Sequence, residues 1–178
     1  MNKKVILKIV YSAVCLSLAL VLPFLTGQVP TIGNALSPMH IPVLLCGFIC
    51  GWKYGLVVGL IAPLLRSGIF GMPPFYPTAL AMSFELAAYG AFSGLMYQLL
   101  PKKSIFIYVS LIISMILGRV VWGFTRMIMA GLDATEFTFK MFLSGAILNA
   151  VPGIILHIVL IPVLVFALKK AKLGIEND

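Results

Sequence analysis

The sequence predicts an all-α membrane protein, one bundle of six transmembrane helices with both termini cytoplasmic, and three observations carry that prediction. Hydrophobic residues make up 61% and charged residues 10% of the 178 positions, with a mean hydropathy of +1.11, whereas soluble domains carry roughly 25% charge. The apolar residues form continuous runs, as helices of about 20 residues need, rather than the alternation over about 10 residues of a membrane strand. Nearly every residue lies in or beside such a run, so residues 1–178 read as a single transmembrane domain with no room for a soluble one.

The first span, 5–25, follows the basic start Met-Asn-Lys-Lys. It exceeds a signal-peptide core of about 7–15 residues, and no A-x-A-like site follows before Pro30, so it reads as a retained helix. The second, 40–51, is short. The Trp52-Lys53 break before Tyr54 implies either a tight turn into the third span, 54–71, or a second helix that begins within the preceding loop. Spans four, five and six follow at 79–100, 104–130 and 140–168. The connections 26–39 and 71–78 are rich in Gly, Pro, Ser and Asn, and 131–139 holds Asp133 and Glu136. All three fall on one side if the spans alternate.

Lysine assigns that side. Lys3, Lys4 and Lys8 precede or open the first span, Lys53 lies in the second turn, Lys102 and Lys103 in the fourth, and Lys169, Lys170 and Lys172 close the chain. Lys140 alone lies opposite. Cytoplasmic flanks collect basic residues, so the termini should face the cytoplasm of a multi-pass plasma-membrane protein and the three longer loops the outside. The net charge of +8 is then topology plus intramembrane arginines and implies no nucleic-acid partner.

Arg66, Arg119, Arg126 and Glu85 lie within the spans. Charge at membrane depth is costly and marks a pathway or a wet cavity. Followed along the helices, all four favour the outer half, and three cations against one anion suggest a pocket for a negative ligand. Arg119, Trp122 and Arg126 share one helical face, and Glu85 and Tyr89 another. His40 at the start of helix two and Asn149 on helix six are placed at the mouth. These eight residues form the candidate substrate-binding set, with the mix of charge, amide and aromatic wall that orients a small molecule. Plainer readings stand beside this one: Glu85 with one arginine is a structural ion pair, Arg126 snorkels, Trp122 and Tyr76 are interfacial, His40 is a helix-end residue, and His157, alone on an apolar helix, is a satisfied interior histidine.

Catalytic patterns are missing. There is no phosphate-binding G-x-x-x-x-G-K-[ST] and no H-E-x-x-H. Two distant histidines and one buried Glu make a poor metal set, and Cys15, Cys46 and Cys50 read as small packing residues. Neither enzyme activity nor cofactor nor metal is expected; Ser144 with His157 makes only a weak serine-protease pair. Packing signals are clearer: Ala13-x-x-x-Ser17 and Cys15-x-x-x-Ala19 in helix one, Gly47, Gly51, Gly55 and Gly59 at steps of four, and Gly90 with Gly94.

The stretch from Leu36 to Gly51 (LSPMHIPVLLCGFICG), with Ala62-Pro-Leu-Leu-Arg-Ser67, Gly71-Met-Pro-Pro74 and Phe84-Glu-Leu86, resembles the substrate-binding S component of energy-coupling factor (ECF) vitamin transporters, in the branch that includes proposed pantothenate carriers. The resemblance covers essentially the whole chain. It implies capture of a small water-soluble vitamin, with pantothenate the first guess and a non-transport assembly or structural protein the alternative. It implies as partners a membrane coupling subunit and two cytoplasmic ATPases, which supply the energy that this chain has no motif to supply. It implies that Ala13 and Ser17 contact the coupling subunit, with Ser17 in place of the family's second Ala, that Thr26 to Met39 gates the pocket, and that the subunit topples in the membrane.

Overall fold

A computed structural model describes residues 3–26, 36–133, 137–146 and 150–171, and the structural statements below concern these. They form seven α-helices and no strand: α1 (Lys3–Val21), α2 (His40–Cys50), α3 (Trp52–Phe70), α4 (Leu80–Leu99), α5 (Ile105–Leu132), α6 (Phe139–Ala146) and α7 (Val151–Lys170). A 3-10 turn, Leu22–Thr26, continues α1, and a wide turn, Phe75–Ala79, leads into α4.

Helix α2 is apolar on every side, a pattern that suits burial in protein as well as contact with lipid. Only Ile49 among its residues keeps appreciable surface. It packs against α1, α3, α4 and α7, while α4 packs against α2, α3 and α5. Lipid is as apolar as leucine, so helices in a bilayer associate by close fit rather than by hydrophobic drive. The glycines supply that fit. A methyl group at Gly90 would overlap the carbonyl of Gly55, and one at Gly47 would meet the Gly90 carbonyl. The glycine series thus packs within the bundle, drawing α2 and α3 onto α4. Gly51 alone joins α2 to α3 at φ 97°, a backbone conformation that suits glycine. The predicted tight turn is present, pivoting on Gly51 with Trp52 and Lys53 already helical.

On α1, Ser12, Cys15 and Ala19 face inward, and the other face is exposed and apolar. The three cysteines are free and buried, with Cys46 Sγ 3.6 Å from Ser12 Oγ.

Five helices are long and apolar enough to cross a membrane: Lys3–Leu25, Trp52–Phe70, Phe75–Leu99, Ile105–Leu132 and Val151–Lys170. The chain is a multi-pass membrane protein, but two expectations need correction. At eleven residues α2 is too short to cross alone, and the expected span 140–168 is divided between α6 and α7. Pro152 fits the start of α7. It sits in the first turn, where its missing N–H costs nothing.

Candidate functional site

Glu85 lies in the second turn of α4 at 2% exposure. A carboxylate so buried requires a partner, and α5 brings one: Arg119 Nη1 is 2.8 Å from Glu85 Oε1. The same oxygen is 3.5 Å from Nε2 of His40, the first residue of α2. Neither contact has hydrogen-bond alignment, so Oε1 is held by charge rather than by a directed bond. Tyr89, one turn along α4, sets its ring edge to His40 at a centroid distance of 5.0 Å. Gly118 makes room for that ring, since a methyl group there would strike it. From α7, His157 stacks on His40 at 5.8 Å with planes 25° apart.

Four helices therefore converge on one polar cluster inside an apolar bundle. Its charges cancel, one guanidinium against one carboxylate, but its hydrogen bonds do not close. Both ring nitrogens of His40, Nε2 of His157 and Nε of Arg119 are buried with no hydrogen-bond partner among the described residues. Buried polar atoms are nearly always partnered. Such a cluster offers donors, acceptors and aromatic surface to a small polar molecule.

The remaining candidates take other positions. Trp122 and Arg126 lie farther along α5 and meet an aromatic group: Trp122 is edge-on to Phe137 at 6.0 Å and nearly parallel to Phe142 at 6.2 Å, and Arg126 lies over Phe137 at 5.9 Å. Beside them the Tyr76 hydroxyl donates to Asp133 Oδ2 at 2.5 Å, tying the turn before α4 to the end of α5. Arg66 corrects the picture of three cations around one anion. It is buried at the junction of α1 and α3, donates to the Leu20 carbonyl, and lies over Phe24 and Phe70 at 4.7 and 5.3 Å. The last carbonyls of a helix lack intrahelical donors, and Arg66 answers one of them for α1. His40 is also corrected, from the mouth to the interior at 3% exposure.

Asn149, Glu136 and the stretch 27–35 of the expected gate lie outside the described residues. Ala13 and Ser17 are exposed on α1, bordering a shallow apolar groove with Ile9, Val10, Val14 and Leu18. The Ser17 hydroxyl donates back to the Ala13 carbonyl at 3.0 Å, so the groove presents little free polarity.

On sequence alone His157 reads as a satisfied interior residue. The available signal was its register: Gly153, His157, Ile161 and Val165 recur every four residues and form the buried stripe of α7.

The profile of the family described as "ECF transporter, substrate-specific component" matches residues 7–165. Among curated proteins no match is found. Among solved structures there is none either.

Proposed function

We propose, because the chain belongs to the substrate-specific component family of ECF transporters, that it captures a small water-soluble vitamin at the cluster of His40, Glu85, Tyr89, Arg119 and His157. The family makes it a transporter subunit rather than an enzyme, which tells against the alternative of a non-transport assembly protein. The observation that carries the binding reading is the set of unpartnered polar atoms on His40, Arg119 and His157. A purely structural ion pair has no use for them, and a ligand's hydroxyl or amide groups would complete them.

Pantothenate is the first candidate. Its carboxylate suits Arg119, whose side chain keeps 18% exposure beside Glu85, or Arg126 farther out on the same helix. Its hydroxyls and amide suit Glu85 and the two histidines, and Trp122 offers a wall. Arg66, engaged at the end of α1, contributes to the fold and not to the ligand.

The energy for uptake comes, on this reading, from a membrane coupling subunit and two cytoplasmic ATPases. The exposed, small-residue face of α1 around Ala13 and Ser17 suits close helix contact with the coupling subunit, and the lysine distribution supports cytoplasmic termini.

The test is a panel of vitamins and precursors on purified protein, read by thermal shift and by mass spectrometry of co-purifying molecules. Saturable binding of one compound, weakened in His157→Phe while unliganded stability is kept, is the expected result. Binding unchanged in both His157→Phe and Arg119→Gln would place the ligand elsewhere. Replacing Ala13 or Ser17 by Trp should weaken co-purification with the ATPase module and leave ligand affinity intact.

A further inference from the structure

Arg66 and Asp133 mark one end of the bundle, and lysine marks the other. Lys53 lies in the first turn of α3, Lys102 and Lys103 in the α4–α5 turn, and Lys169 and Lys170 at the end of α7. Two of these converge on one ring. Nζ of Lys102 is 4.3 Å and Nζ of Lys169 4.8 Å from the ring centre of Tyr97. Tyr97 is 6% exposed and wedged edge-on against Phe48 of α2 at 5.4 Å, so the platform is fixed. Lys102 also donates to the Tyr97 carbonyl at 2.7 Å.

The ring face and the carbonyl each attract an ammonium, but two ammoniums on one ring repel. Burial and the nearby Lys169 hold the Lys102 pKa below the ordinary lysine value. No described acid relieves the repulsion. The described residues contain only two carboxylates, Glu85 and Asp133, and these are engaged with Arg119 and Tyr76. The surroundings also narrow what could relieve it. Leu99 and Ile105, flanking the turn, are 70% and 61% exposed, so bare hydrocarbon and ammonium groups share one level of the surface. A soluble acidic protein gives no reason for that hydrocarbon, whereas the boundary between headgroup and acyl chain matches both.

We propose that Lys102 and Lys169 form a phosphate clamp for an anionic phospholipid, with the acyl chains against Leu99 and Ile105. Basic pockets between membrane helices hold such headgroups through charge-assisted hydrogen bonds. A phosphodiester between the two ammoniums replaces their repulsion by two attractions. It also fastens the end of α7, which packs against α2 and α5, to the α4–α5 turn.

The experiment uses the full chain in detergent with added dioleoyl phosphatidylglycerol, dioleoyl phosphatidylcholine or inorganic phosphate, read by unfolding midpoint and by native mass spectrometry of retained lipid. Phosphatidylglycerol should raise the midpoint and remain bound, phosphatidylcholine and phosphate should do neither, and Lys102→Gln with Lys169→Gln should abolish both effects. Lys140→Gln, at the opposite end, should keep them. If the variant midpoint without lipid falls too far to compare, the count of retained lipids on the folded fraction still decides. Equal response to phosphatidylcholine, reproduction of the shift by inorganic phosphate, or an unchanged response in the double variant overturns the proposal. So does a lipid response that appears only after Glu176→Gln and Asp178→Asn, since the chain's own acidic tail would then be the occupant.

Discussion

Helix α4 carries two faces that meet opposite demands. Toward α2 and α3 its Gly90 lets backbone touch backbone, with no space for one methyl group. Toward α5 and the two histidines it presents Glu85 and Tyr89, around which polar atoms stay unpartnered. The faces interleave along the chain: Glu85 precedes Leu86, whose carbonyl backs Gly59, and Tyr89 precedes Gly90. The closed face fixes where the open face stands, so four helices can offer unsatisfied groups without collapsing onto them.

The largest effect should come from the open face. Arg119→Ala strands the Glu85 carboxylate, and removal of one member of a buried pair costs about 3–5 kcal/mol. It should appear as a lower unfolding midpoint, and Glu85→Gln added to it should restore part of the loss by removing the unpaired charge. Stability equal to wild type in Arg119→Ala would mean that the two groups are not a pair in the membrane. Arg66→Ala comes next and separates Arg66 from Arg119: loss of a charged hydrogen-bond donor costs roughly 1.5–3 kcal/mol. Here the loss should be in stability, with ligand affinity kept; an affinity loss like that of Arg119→Ala would return Arg66 to the site. On the closed face, Gly90→Ala forces α3 and α4 apart, and overpacking of this kind costs about 1–3 kcal/mol. Its folded fraction should bind ligand with wild-type affinity, and a variant that unfolds normally but binds poorly would undo the division of faces. The smallest change is Tyr76→Phe, which removes the exposed bond to Asp133. Since that bond ties the α3–α4 connection to the end of α5, faster ligand exchange at unchanged equilibrium stability is the expected signature, measured by stopped-flow release.

Five of the apolar runs could be read from the sequence because a bilayer imposes length and hydrophobicity on each helix separately. The division between α6 and α7 was obscured because the apolar run continues through it, and Pro152 is compatible with either a kink or a helix start. Glu85 stood out by depth and charge alone. What distinguishes Arg119 from Arg66 did not, because both are arginines within apolar spans, and only the adjacency of α5 to α4 and of α3 to α1 assigns one to a carboxylate and the other to a carbonyl. His157 was hidden for the same reason: its neighbour His40 lies 117 positions away in the chain, on a helix that periodicity alone does not place beside α7.

At a rise of about 1.5 Å per residue, a helix as short as α2 is roughly half as long as a hydrocarbon core is thick. Its C-terminal end turns through Gly51 into the lysine-rich end of the bundle, so its first residue, His40, stands at mid-depth beside Glu85. The segment that feeds α2 runs into the protein, from the partly exposed Leu36, Ser37 and Pro38 to Met39, only 3% exposed, with the His40 amide bonded to the Ser37 carbonyl at 3.0 Å. In mechanical terms this makes the segment Leu36 to Met39 a lever with one arm in the cluster. Displacing it by one residue would shift the His40 ring relative to Glu85, Tyr89 and His157 together.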